Sequence, residues 1–317
     1  MKEITLIIPA YNEAESLKYL IERLDKVTLG IPKYKFNYLF INDGSTDDTL
    51  SLLKEISKYH SLVSYVDLSR NFGKETAMLA GLDYADGDAV IILDADLQHP
   101  PEIIPEMIKH WEDGFEDVYA VRESSKDNNK TRNFLSETYY KILQSMTREK
   151  IYMNVGDFRL LDQKCVLALR ELRETERYMK GMYGWIGFQK KEIQYREEDR
   201  VAGETKWKIS DLFQLAIDGI TSYSTAPLKI WSYIGVLISL ISFVFLIFEI
   251  VKTIMYGSTP SGYPTLLAAI LFLGGIQLIS LGVIGEYLGR VFTETKGRPP
   301  YFIREKNIQE QKDSDHD

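Results

Sequence analysis

Apolar positions in the first half of the chain follow two alternating rhythms. Short runs bounded by polar or turn-forming residues, Ile4 to Pro9, Phe36 to Ile41, Leu62 to Leu68 and Ala89 to Leu93, read as strands. Between them, apolar side chains recur at helical spacing. Glu13 to Val27 carries Leu17, Leu20, Ile21 and Leu24; a second helix ends near Tyr59, with Ser45 or Thr46 as its cap; a third carries Met78, Leu79 and Leu82. Strand and helix alternate four times, which predicts an α/β fold with a mostly parallel sheet. The run Ala89 to Leu93 suits a strand buried on both faces between helices.

Beyond it, Pro100-Pro101 can open a helix that runs to about Trp111, and Phe115 to Val121 predicts a strand. Arg122 to Arg132 is charged and polar and reads as a mobile loop. Leu135, Tyr139, Ile142, Leu143 and Met146 form one apolar stripe, within residues 133–148, and Ile209, Leu212, Phe213, Ala216 and Ile220 form another, within 208–222. Each stripe is either a core face or a helix lying in a membrane interface. Gly156 to Asp162 reads as a short strand, and Glu197 to Lys208 is dense in charge.

The pattern then changes. Ile230 to Val251 is apolar apart from Glu249, and Thr265 to Gly285 carries no charge at all. Each has about 20 residues, the length that crosses a bilayer core, so membrane helices are expected at about 230–252 and 265–287. The connection Tyr256 to Tyr263 lacks Lys and Arg, while Lys229, Arg290, Lys296, Arg298 and Arg304 lie on the outer flanks. That asymmetry places both flanks, the first domain and both termini in the cytoplasm, giving a two-helix protein of the cell membrane. The expected organisation is a catalytic domain over 1–227, two transmembrane helices within 228–289, and a polar tail over 290–317, disordered after Phe302.

Composition narrows the function classes. Among 317 residues, 45% are hydrophobic and 26% charged, enough for a folded core. A formal net charge of -8 argues against nucleic acid as a partner. The single cysteine, Cys165, excludes an intrachain disulfide, and the four histidines show no H-E-x-x-H spacing. There is no G-x-G-x-x-G after the first strand and no G-x-x-x-x-G-K-[ST], so phosphate handling falls to other groups. The start of the chain has no n-region or cleavage site of a signal peptide.

The pair Asp94-Ala95-Asp96 closes the fourth strand, at the edge where open α/β sheets bind ligands. Two hard oxygen donors this close suit a divalent cation shared with phosphates. A bare D-x-D is also a common acidic turn, and the rest of the chain has to decide between the two. Four motifs do so in order: Ile8-Pro9-Ala10-Tyr11-Asn12-Glu13, Asn42-Asp43-Gly44-Ser45-Thr46-Asp47, Asn71-Phe72-Gly73-Lys74, and Asp94-Ala95-Asp96-Leu97-Gln98. Together they resemble family 2 glycosyltransferases of the GT-A fold, in particular the polyisoprenyl-phosphate sugar transferases of the dolichol-phosphate mannose synthase and GtrB types. The resemblance covers roughly residues 3–225, and the two apolar runs match the bacterial subgroup.

The resemblance implies roles. Pro9, Tyr11, Asn12, Glu13 and Asp43 would hold the nucleotide, with Lys74 also on the donor. Asp94, Asp96 and Gln98 would hold Mg²⁺ or Mn²⁺ against the diphosphate. Arg122, Arg132 and Ser136 match positions that hold a lipid phosphate. Arg200 and Lys206 lie in a charged segment that closes over the donor in relatives, and Asp157 matches the acid that assists or positions the attack. The implied reaction is inverting transfer from a nucleotide sugar, UDP-glucose first, then UDP-N-acetylglucosamine or GDP-mannose, to polyprenyl phosphate at a membrane. Relatives form homo-tetramers. A processive polysaccharide synthase would carry Q-x-x-R-W and more membrane helices, and a non-catalytic scaffold would have lost its acids; this sequence shows neither mark.

Overall fold

The computed structural model describes residues 1–122, 155–175, 177–195, 226–257 and 262–308. The chain divides into two compact units. In the first, strands and helices alternate: β1 (Lys2–Ala10), α1 (Leu17–Leu29), β2 (Tyr34–Asn42), α2 (Thr49–Tyr59), β3 (Val63–Leu68), α3 (Lys74–Tyr84) and β4 (Ala89–Ile92). A 3₁₀ turn (Pro101–Ile103), α4 (Ile104–Glu112), β5 (Asp117–Arg122), β6 (Val155–Asp162), α5 (Gln163–Glu171), α6 (Met179–Trp185), β7 (Lys190–Tyr195) and β8 (Ile303–Lys306) complete it.

The strands form one sheet in the order β7-β5-β6-β4-β1-β2-β3-β8. The centre, β4-β1-β2-β3, is parallel, and antiparallel β6 lies beside β4. The central strands are buried on both faces, which is why they read as continuous apolar runs. On one face Ile4, Leu6 and Ile8 pack with Leu20 and Leu24 of α1 and with Met107 and Trp111 of α4. On the other, Ile7 and Ile41 pack with Met78 of α3, Val166 of α5 and Tyr183 of α6. Helix α3 presses closely on the sheet: a Cβ on Gly81 would lie 2.3 Å from Ile7 Cγ2.

The end of the chain departs from expectation. The tail after Phe302 is not disordered through Ile308: β8 adds to the free edge of β3 in antiparallel register. The Ser69 N–H donates to the Phe302 carbonyl at 2.8 Å, the Tyr65 N–H donates to Asn307 Oδ1 at 2.6 Å, and Arg304 pairs with buried Asp67 at 3.3 Å. A polar segment is ordered here because an exposed strand edge offers unpaired backbone groups, a gain that hydrophobicity does not report. Residues from Pro299 onward accordingly group with the sheet unit rather than with the preceding helices. Two smaller expectations also change. Arg122 lies in β5, not in a loop. Neither Ser45 nor Thr46 caps α2, which starts after Asp48; Asp47 Oδ1 accepts the Thr49 N–H at 3.0 Å instead.

The described part of the second unit consists of α7 (Ala226–Tyr256) and α8 (Tyr263–Thr295). Both exceed the expected spans. Large apolar side chains such as Phe243, Phe245, Phe248, Phe272, Leu278 and Leu288 are exposed along them. Among the described residues, Phe272–Thr295 is long and apolar enough to cross a membrane, with a mean hydropathy of 1.4. The stripes at 133–148 and 208–222 fall outside the described residues.

Candidate active site

Loops at the carboxyl ends of β1, β2 and β3 are fastened to one another by side chains. The β1 loop turns through Asn12, whose φ of 58° is a left-handed conformation that Asn tolerates. Asn12 Oδ1 accepts the Thr46 N–H at 2.8 Å, and the Asn12 and Glu13 N–H groups donate to Ser45 Oγ (3.0 Å) and Thr49 Oγ1 (2.9 Å). Asp43, only 3% exposed, accepts the N–H groups of Phe72 (2.7 Å) and Gly73 (2.9 Å). Burial raises its pKa, against the lowering effect of those two donors and of Arg70. Between them sits Gly44, at φ 63°, where a Cβ would lie 2.4 Å from the Arg70 carbonyl carbon; only glycine permits that approach.

The acids arrive from two strands. After β4 the Leu93 N–H still donates to the Ile7 carbonyl at 3.1 Å, and the chain then turns through Asp94 to Leu97, the last at φ 64°. Asp96 Oδ1 accepts the Gln98 N–H at 3.1 Å. The Asp94 N–H donates to His99 Nδ1 at 3.3 Å, and His99 stacks on Phe158 with ring centroids 5.1 Å apart. Because β6 pairs with β4, it carries Asp157 into the same place. Lys74, the first residue of α3, then joins the two strands: its Nζ lies 2.6 Å from Asp94 Oδ1 and 2.9 Å from Asp157 Oδ2.

Charge in this cluster is strongly organised. Burial alone would lower the Lys74 pKa, but the carboxylates of Asp94 and Asp157 outweigh it and raise it. Burial would raise Asp157, only 7% exposed, yet Lys74, Lys180 and Arg159 hold it below the usual carboxylate range. Its Oδ1 is buried without a hydrogen-bond partner. Glu75 is pushed up to about 7 by burial and then by Asp157; its Oε2 accepts the Met179 N–H at 2.7 Å. Arg159 Nη1 donates to both oxygens of Asp117, at 3.2 and 3.1 Å, and the guanidinium lies 3.4 Å from the Tyr183 ring centroid.

A cleft of about 420 Å³ opens beside Lys74, Asp94 and Asp96. Of the expected site residues, Pro9, Tyr11, Glu13, Asp43, Lys74, Asp94 and Asp96 line it. Asn12 is spent on the β2 loop, Gln98 is seen through its backbone, Arg122 sits exposed at the end of β5, and Asp157 enters through Lys74. Arg132, Ser136, Arg200 and Lys206 lie outside the described residues. Sequence reasoning gave no role to Glu75, His99, Arg159 or Tyr183. His99 follows the D-x-D directly, which was a usable signal; the others are joined only by tertiary contacts.

The donor set fits a hard divalent cation shared with a substrate. Among the described residues no cluster of three or more His, Cys, Asp or Glu side chains gathers as a closed cage. Asp94 and Asp96 supply carboxylates on the cleft wall, as Mg²⁺ bound jointly by one or two carboxylates and phosphate oxygens requires. The Lys74 ammonium on Asp94 shows that this place is built for positive charge.

Residues 5–169 match Glycosyl transferase family 2. The chain belongs to that family and is a glycosyltransferase, with the GT-A fold carrying its cleft at the strand ends. Residues 226–291 match a second family, the GtrB C-terminal hairpin. An uncharacterized glycosyltransferase of Synechocystis is 46% identical over 301 residues, covering 95% of this chain and 94% of that protein. CsbB of Bacillus subtilis, named as a glycosyltransferase, is 45% identical over 96% of this chain and 92% of its own. The SfII prophage-derived bactoprenol glucosyl transferase of Shigella flexneri is 41% identical over 96% of this chain and 98% of its own.

Proposed function

We propose that this glycosyltransferase moves glucose from UDP-glucose to polyprenyl phosphate with inversion, giving a lipid-linked phosphosugar. The observation that carries the reading is the convergence of Asp94, Asp96 and Lys74 on the wall of one cleft, with the buried Asp157 paired to Lys74. The similarity to a bactoprenol glucosyl transferase over nearly the whole chain supports the acceptor and the sugar. The hairpin match and the exposed apolar helices support a membrane location, because a polyprenyl chain keeps its phosphate at the headgroup level.

In this reading the loops of Pro9, Tyr11, Glu13 and Asp43 receive the nucleotide, and Asp94, Asp96 and Gln98 hold Mg²⁺ or Mn²⁺. Such an ion, when bound, offsets charge on the departing diphosphate as a Lewis acid. Lys74 adds a positive charge to that group. Arg122, with Arg132 and Ser136, receives the acceptor phosphate, since guanidinium binds phosphate oxygens in a fork; Arg200 and Lys206 belong to the donor side. Asp157 stays ionised through its cationic neighbours. A lipid phosphate oxygen is already anionic near neutral pH, so Asp157 orients the attack more than it removes a proton. The catalytic unit and both termini face the cytoplasm, and the protein works as a homo-oligomer, a tetramer by family resemblance.

The test incubates membranes containing the protein with polyprenyl phosphate and labelled UDP-glucose, UDP-N-acetylglucosamine or GDP-mannose. Label from UDP-glucose should enter the organic phase. Chelation, or Asp96→Ala in a protein that melts normally, should reduce it by about 10²-fold or more. Label appearing only in polymer would favour a processive synthase, and full activity after chelation would remove the metal from the reading.

A further inference from the structure

Lys74 sits where two needs conflict. Its ammonium contacts both oxygens of Asp94, at 2.6 and 2.8 Å, and Asp157 Oδ2 at 2.9 Å. Asp94 also lines the cleft, and with Asp96 it is one of the two carboxylates that the functional reading gives to a divalent cation. A carboxylate whose oxygens both face an ammonium is a poor ligand for a second cation, and two positive charges at that spacing repel. Asp157 has the opposite imbalance: one oxygen is paired with Lys74, while the other is buried without a partner. The ammonium therefore has somewhere to go. It can leave Asp94 and remain against Asp157, with its freed donors turned toward an anion in the cleft.

We propose that Lys74 is a built-in counter-cation that guards the metal site of the donor-free enzyme. It holds Asp94 against Asp157 until a nucleoside diphosphate and its metal arrive together, and it then exchanges Asp94 for the diphosphate. The proposal rests on the functional reading above and adds an order to it: metal alone binds weakly, metal with diphosphate binds well, and Lys74 creates the difference. Lys74 is half exposed, so the exchange needs no opening of the core. Glu75, anchored on the Met179 N–H at 2.7 Å, keeps the first turn of α3 in place while the side chain swings.

The test measures Mn²⁺ affinity by electron paramagnetic resonance on the full-length protein in detergent, with and without UDP. In the wild type, UDP should strengthen Mn²⁺ binding. Lys74→Met should bind Mn²⁺ without UDP about tenfold more tightly than the wild type, from a lost competing ion pair and lost repulsion, and should gain less from UDP. Lys74→Arg, which keeps the charge, should restore weak binding of metal alone. A Lys74→Met protein that melts normally but binds Mn²⁺ no better than the wild type overturns the proposal while leaving the functional reading intact. If the wild type binds no Mn²⁺ even with UDP, the metal reading falls and the proposal falls with it.

Discussion

Single residues in this site do more than one task, and their surroundings decide which. Asp43, Asp94 and Asp157 are chemically the same side chain. Asp43 uses both oxygens to hold the backbone of Phe72 and Gly73, Asp94 faces the cleft, and Asp157 is buried with one oxygen unpaired. Glu75 shows how burial becomes a pH effect. Its pKa in the fold, about 7, lies above its ordinary 4.5, because burial and then Asp157 disfavour the charged form. The folded state thus keeps a proton that the unfolded chain has lost, so stability falls as pH rises between those values and then levels off. Glu75→Gln removes that slope while its amide oxygen can still accept the Met179 N–H. The melting temperature of the variant relative to wild type should therefore climb from about pH 5 to about pH 7 and stay flat above. A difference that does not vary with pH would show that Glu75 is ionised throughout.

At the scale of elements, the site depends on which strands become neighbours. β4 and β6 are far apart in sequence, yet their pairing sets Ile92 opposite Arg159 and so brings Asp157 beside the D-x-D turn. The edge strand β8 closes the other side of the sheet. Arg304 pairs with Asp67, whose Oδ1 accepts from Asn42 Nδ2 at 2.6 Å, at the residue before Asp43. Ending the chain after Arg298 should expose the β3 edge. Amide exchange at Tyr65 and Ser69, whose N–H groups now donate to Asn307 and Phe302, should accelerate, while the doubly paired strand β1 keeps its protection. Unchanged exchange at Ser69 would mean β8 adds nothing to that edge.

For the whole molecule, two units with opposite surfaces share one chain. The sheet unit buries its apolar side chains in two layers, whereas α7 and α8 expose theirs. Exposed apolar area on this scale is not tolerated in water and calls for a lipid or protein cover. The protein should remain in the membrane pellet after alkaline carbonate washing and should need detergent for release; recovery in the carbonate supernatant would contradict a spanning hairpin. The chain then returns from this hairpin to the sheet, so the sheet unit is built from both ends of the sequence.

What the sequence settled by itself was local. Doubly buried strands, helix stripes, uncharged runs and the acid pair are written in neighbouring residues, because periodicity and breakers act over a few positions. Family motifs then joined Pro9, Asp43, Lys74 and Asp94 to one activity. Tertiary structure alone decided the rest: the ammonium of Lys74 between two acids, the raised pKa of Glu75, the buried Arg159–Asp117 pair against the Tyr183 ring, and an ordered strand from a polar tail. Each of these arises from groups distant in sequence whose charges and hydrogen bonds gain their strength only where folding excludes water.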